Sequence, residues 1–178
     1  MGFLQIVKER YSVRRYLHRP GAREVLERCC EAARLAASAC NQQPWYFIAV
    51  ENPVLRQRLG EAAFSGIYAM NRFALTAPVL IVVVSRRTVN LPGFAGRLRK
   101  TPYNLMDVAI ACEHLILQAA EEGLGSCWLG WFDERAVKKI LRLSPLDHIP
   151  ALISLGYPEK KDRPPLRRKS LEEIRTYR

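Results

Sequence analysis

Read from the N-terminus, the apolar positions switch between two periods. Phe3, Leu4, Ile6, Val7 and Tyr11 suit a short first helix, and Arg10–Tyr16 leaves it as a basic segment. Pro20-Gly21 marks a turn. From Arg23, Leu26, Cys29/Cys30, Ala33 and Ala36/Ala37 recur at helical spacing, and the small residues at 32, 33, 36 and 37 allow another backbone to approach. A polar loop, Ser38–Pro44, precedes a strand at Trp45–Val50. Asn52-Pro53 turns into a third helix, from about Val54 to Ala63. Val79–Ser85 is a β-branched run suited to a central strand.

Arg86–Lys100 holds Pro92, Gly93 and Gly96 among its bases and reads as a long loop or lid. Asn104–Glu122 predicts a long helix, apolar over much of its circumference and therefore central, which Gly123 and Gly125 end. Ser126–Phe132 reads as a strand or extended loop, and Asp133 caps a helix over Glu134–Leu141. Pro150–Tyr157 predicts another strand, Pro158–Lys169 a charged connector, and Ser170-Leu171-Glu172-Glu173 a capping box. Helices and strands interleave, so the class is α/β or α+β.

The 178 residues are most simply one domain, long enough to bury roughly 70% of the unfolded surface without a disulfide or metal. The longest nearly unbroken apolar run, Ala77–Val84, is far short of the ~20 residues of a bilayer span. The first residues lack a basic stretch before an apolar core, so the expected location is cytoplasmic. Cys29, Cys30, Cys40, Cys112 and Cys127 are odd in number and form no Cys-x-x-Cys, so they read as free thiols used as small core residues. His18, His114 and His148 are isolated and form no metal site.

The net charge is +11, from 28 Lys+Arg less 17 Asp+Glu. Such a surplus attracts polyanions, but no helix-turn-helix, zinc-finger or RNP-like motif accompanies it, so nucleic acid is not the expected partner. Much of the surplus reads as a solvated face. Arg10, Ser12, Arg14 and Arg15 at one end, and Arg167, Arg168 and Lys169 near the other, carry the donors that suit a small phosphorylated ligand, with ordinary surface charge as the other reading. In an extended segment, Arg10-x-Ser12-x-Arg14 projects all three side chains to one side. Ser38, Asn41, Gln42 and Gln43 offer amides and a hydroxyl for the carbonyl and imide edge of a heterocycle, or simply a polar turn with Asn41 as a helix C-cap. Gly123–Trp131 sets three glycines among aromatic residues, so backbone there can approach a flat ligand, although Trp128 and Trp131 could equally be core or interface packing. That stretch is neither a Walker A loop nor a Rossmann fingerprint. No nucleophile–base set stands out, so an enzyme with this sequence takes its reactive group from a cofactor.

Arg10-x-Ser12-x-Arg14, followed by Ala33-Arg34-Leu35-Ala36-Ala37-Ser38-x-x-Asn41-x-Gln43-Pro44-Trp45, resembles the FMN-dependent nitroreductase family. Ala77-Pro78, Asp107-x-x-Ile110-Ala111, Gly123-Leu124-Gly125-Ser126 and Ile153-Ser154-Leu155-Gly156-Tyr157-Pro158 continue the resemblance in order along nearly the whole chain. It implies one α+β domain over 1–178, with a central, mostly antiparallel sheet flanked by helices. It also implies an intertwined homodimer with FMN sites at the interface.

By that resemblance, Arg10, Tyr11, Ser12 and Arg14 meet FMN, Arg10 and Ser12 at the phosphate end and Arg14 toward the ring. Arg167 and Arg168 close on the phosphate, and Ser38, Asn41 and Gln43 come from the partner subunit. Asn71 faces the flavin's pyrimidine edge, and Gly130 and Trp131 lay backbone along the ring. Tyr103 and Trp128, with Trp131, are the candidates for stacking on the acceptor. The implied reaction is ping-pong, with NADH or NADPH as donor and a nitroaromatic, quinone or related conjugated acceptor. The alternatives keep the fold and change the flavin reaction, to flavin destruction or dehalogenation, or bind flavin without turnover. Two positions depart from the family: Ala37 stands where Pro is common, and Ala74 where many members carry Lys.

Overall fold

The computed structural model describes residues 2–19, 23–86, 101–160, 165 and 167–178. Four strands, β1 (Trp45–Val50), β2 (Val79–Ser85), β3 (Gly125–Leu129) and β4 (His148–Gly156), form one sheet in the order β1-β2-β4-β3. Every neighbouring pair is antiparallel. All seven residues of β2 are buried, as its β-branched run predicts for a strand covered on both faces.

Alternation along the strands divides the core in two. Ile81, Val83, Ile153 and Leu155 face α2 (Arg23–Arg34) and a later long helix, α4 (Tyr103–Glu121). Leu80, Val82, Leu152 and Leu129 face α3 (Pro53–Ala63) and α5 (Glu134–Leu141). Cys29 and Ala33 on α2 and Ala111 and Cys112 on α4 lie in the first of these cores, small enough for the two helices to pack closely. The described residues add two more helices: α1 (Phe3–Glu9) beside α4, and α6 (Leu171–Ile174) in the C-terminal tail. Among the described residues no helix is long and apolar enough to cross a membrane.

Several boundaries move from their predicted places. α1 stops at Glu9, because Arg10 is already extended (φ −63°, ψ 128°). β4 begins at His148, ahead of Pro150, and an irregularity in register between Val83 and Ser85 accommodates the residue that cannot donate to the ladder. β3 ends at Leu129; Phe132 then enters the second core and Asp133 caps α5 by accepting from the Ala136 N–H at 2.9 Å. Asn41 is no helix C-cap: α2 ends at Arg34, and Asn41 closes a short 3₁₀ turn, Ala39–Asn41. Cys40 is exposed, unlike the buried Cys29, Cys112 and Cys127. A 3₁₀ stretch over Gly66–Thr76 was not signalled by any helical period in the sequence. From residue 87 on, the predicted lid lies outside the described residues, as do 161–164 and 166 of the connector.

Candidate functional site

The basic segment after α1 is tied to β3 at its first half. Ser12 pairs with Ser126 in parallel, and the Val13 N–H donates to the Ser126 carbonyl at 2.9 Å. This pairing puts the Ser12 hydroxyl within hydrogen-bond reach of Cys127, with the charges of Arg14 and Arg10 near enough to act on the same thiol. Burial pushes the Cys127 thiol up in pKa, while Arg14, the Ser12 hydroxyl and Arg10 all pull it the other way. All three side chains thus bear on one buried thiol. Among the described residues neither guanidinium pairs with a carboxylate. Two cations without an ion pair and a hydroxyl form a donor set that fits a phosphate. An open cleft of about 670 Å³ runs along the segment between Arg10 and the end of α4, lined by Glu9, Arg10, Tyr11, Val13 and Leu124; Ser12 and Arg14 do not line it.

Below the segment the packing is tight. Tyr16 is buried, and its hydroxyl lies 2.8 Å from the Val13 carbonyl and 2.8 Å from Ser154 Oγ. Burial drives the Tyr16 pKa upward, so it remains a neutral donor. Leu17 donates to the Tyr157 carbonyl, Glu159 to the Arg15 carbonyl, and the Tyr11 hydroxyl to the Lys160 carbonyl. The C-terminal tail thus departs beside the basic segment.

The 3₁₀ stretch forms the other side of this region. Arg14 lies over the Phe73 ring, 5.8 Å from its centroid. Asn71 Nδ2 donates to the Trp131 carbonyl at 2.8 Å, and Trp131 Nε1 donates to the Ile67 carbonyl at 3.1 Å. The family resemblance puts Asn71, Gly130 and Trp131 in the site, and the structure links Asn71 to Trp131 directly. Tyr68 is the residue that sequence reasoning missed; its ring centroid is 5.1 Å from that of Trp131. Only a period of three over Tyr68 and Asn71 could have pointed to it. Ala74 is fully buried in the second core, so that position contributes packing in place of a charge.

The polar loop is built separately. The Ala39 N–H donates to Asp107 Oδ1 at 3.0 Å, from a buried carboxylate on α4. The Gln43 N–H donates to Ser38 Oγ at 3.0 Å, and Gln43 Nε2 to Asn41 Oδ1 at 3.0 Å. Cys40, Asn41 and Gln43 all have positive φ, near 50°. Such backbone costs about 1–2 kcal/mol per residue outside glycine and holds only where surrounding bonds enforce it. Tyr103 lies one helical turn before Asp107, on the same face of α4.

These pieces do not converge within one chain. The polar loop leads into Trp45, paired with Ser85 at one corner of the sheet. Ser126 pairs with Leu155, and Leu155 with Val79, at the diagonal corner. The separation is roughly 14 Å across three strand spacings and roughly 20 Å along β2. Tyr103 falls with the polar loop. Trp128 shares the α4 face of the sheet with its partner Ile153, whereas Cys127 faces the other core. Arg167 and Arg168 are exposed, and Arg168 Nη1 donates to the Arg167 carbonyl at 2.8 Å.

Comparison with known proteins adds an independent line. The family model described as Nitroreductase family matches residues 7–157. A curated relative from Thermus thermophilus, named NADH dehydrogenase, is 31% identical over 182 residues, covering 88% of this chain and 86% of its own. The iodotyrosine deiodinase of Haliscomenobacter hydrossis is 28% identical over 177 residues, covering 88% of this chain and 79% of its own. Among solved structures, a nitroreductase family protein from Clostridium novyi NT superposes with a TM-score of 0.79 at 30% identity, covering 92% of this chain and 90% of that one. An FMN-dependent nitroreductase from Clostridium difficile R20291 gives 0.72 at 25% identity, with 90% of each chain covered.

Proposed function

Because the chain belongs to the nitroreductase family, we propose that it is an FMN-dependent oxidoreductase that uses NADH or NADPH to reduce nitroaromatic, quinone or related conjugated acceptors. The observation that carries this reading is that Arg10, Ser12 and Arg14 all bear on the Cys127 thiol while neither guanidinium has a carboxylate partner among the described residues. FMN, when bound, supplies the hydride relay between donor and acceptor. The chain supplies binding and field. Arg10 and Ser12 hold the phosphate, and Arg14, extended toward Phe73, places positive charge on the ring side. Gly130 and Trp131 contribute backbone and an aromatic wall.

The diagonal separation of the two half-sites supports a homodimer in which Ser38, Asn41 and Gln43 of one copy complete the site begun by Arg10 of the other. Exposed Phe3, Leu4 and Val7 on α1, and Met106 and Ile110 on α4, offer apolar surface for a second copy to cover. Leu171, Ile174 and Tyr177 of the tail are exposed as well, so Arg167 and Arg168 reach a phosphate only if the tail is drawn onto a subunit. The deiodinase relative favours a second reading, reductive dehalogenation on the same cofactor.

The test is the absorbance spectrum of the protein as purified. Flavin bands, bleached by NADH or NADPH without air and restored by a quinone, are expected, together with a dimer in sedimentation. A colourless protein with no affinity for added FMN overturns the reading, and a monomer that holds one FMN overturns the shared site.

A further inference from the structure

We propose that Trp131 is the residue that selects planar aromatic acceptors, and that Asn71 and Tyr68 are positioning residues that hold its indole in place. The proposal rests on the flavin-dependent reading and adds to it the determinant of acceptor choice. Trp131 lies in the short connection between β3 and α5 and is 52% exposed. An exposed indole on a loop would ordinarily sample several rotamers. This one is held at three points. Its carbonyl accepts from Asn71 Nδ2 at 2.8 Å, its Nε1–H donates to the Ile67 carbonyl at 3.1 Å, and its ring meets that of Tyr68 at 5.1 Å and 54°.

All three anchors belong to the 3₁₀ stretch Gly66–Thr76. With three residues per turn, Tyr68 and Asn71 stack on one side of it and meet the same loop. The connection is also fixed at its far end, where the Asp133 N–H donates to the Ala63 carbonyl at 2.9 Å. Asn71 therefore has one of its two amide hydrogens engaged by Trp131. The flat, half-exposed indole that results can stack on an aromatic acceptor with little further loss of rotamer freedom. A compact, non-aromatic acceptor gains nothing from it.

The test takes the flavin-loaded enzyme and the variants Trp131→Ala, Asn71→Ala and Asn71→Gln. For each, the ratio of kcat/KM for 2,4-dinitrotoluene to that for ferricyanide, which needs no stacking surface, is measured. The ratio is expected to fall at least tenfold in Trp131→Ala and about fivefold in Asn71→Ala, and to return to within twofold in Asn71→Gln, which keeps the donor. A ratio that stays constant while both acceptors slow together overturns the selection role and returns Asn71 to flavin binding. A second readout does not depend on turnover: the indole N–H resonance of Trp131, identified by its loss in Trp131→Phe. It is expected to shift or broaden in Asn71→Ala with and without flavin, and an unmoved resonance overturns the clamp. A wild-type protein without flavin turnover would sink the functional reading and acceptor selection with it, while the resonance would still decide whether the clamp exists.

Discussion

The Val13 side chain packs against Gly125 so closely that a β-carbon there would collide with one valine methyl and with the valine Cβ. This contact seats the Arg10–Arg14 segment on β3. Gly125→Ala is expected to cost about 1–3 kcal/mol through overpacking and to weaken FMN as the segment is displaced. Gly123→Ala is the control: its φ of +75° makes alanine strained by about 1–2 kcal/mol, yet a β-carbon there meets nothing within 4 Å. Urea denaturation with flavin titration separates the two, since only Gly125→Ala should change FMN affinity.

Arg10→Ala and Arg168→Ala are each expected to weaken FMN by about 1.5–3 kcal/mol, the scale of a charge-assisted hydrogen bond. The charge of Arg10 already acts on Cys127, whereas Arg168 is exposed at the tail, so its variant reports whether the tail closes over the site. Fluorescence titration of FMN measures both. Unaltered affinity in the pair would remove the phosphate assignment.

Asp107→Ala removes the acceptor of the Ala39 N–H and leaves that donor with no partner near a part-buried loop, at a cost of about 1–3 kcal/mol. The positive-φ conformations of Cys40, Asn41 and Gln43 then lose an enforcing bond. Hydrogen exchange should quicken over residues 38–43 with β2 still protected. Equal loss of protection in both would point to global unfolding instead.

The Glu134 carboxyl gives a pH dependence. Burial by itself raises it, but the Ile149 N–H, the Lys138 ammonium and the His148 charge outweigh burial and hold it below the ordinary carboxylate range. A depressed folded value means the contribution is complete above the unfolded value of about 4.3 and is lost as pH falls through the lower folded one. Between pH 5 and pH 3 the urea midpoint of the wild type should therefore drop more steeply than that of Glu134→Gln. Parallel slopes would show that this carboxylate carries no acid-linked stability.

Elements specified by neighbours a few positions apart were legible in the sequence. β1 and β2 lie where the apolar runs put them, Asp133 caps α5, and Ser170 with Glu173 forms the capping box opening α6, because alternation, β-branching and cap chemistry act locally. The extended course of the segment after α1 was legible too, since Arg10 leaves the helix and Ser12 pairs with β3. Tertiary structure decided the rest. The bond from Asn71 to Trp131 spans 60 positions and depends on where the 3₁₀ stretch packs, which no periodicity encodes. The strand order β1-β2-β4-β3 sets the polar loop and the basic segment at opposite corners, a distance fixed by strand spacing and sheet length and not by the residues themselves.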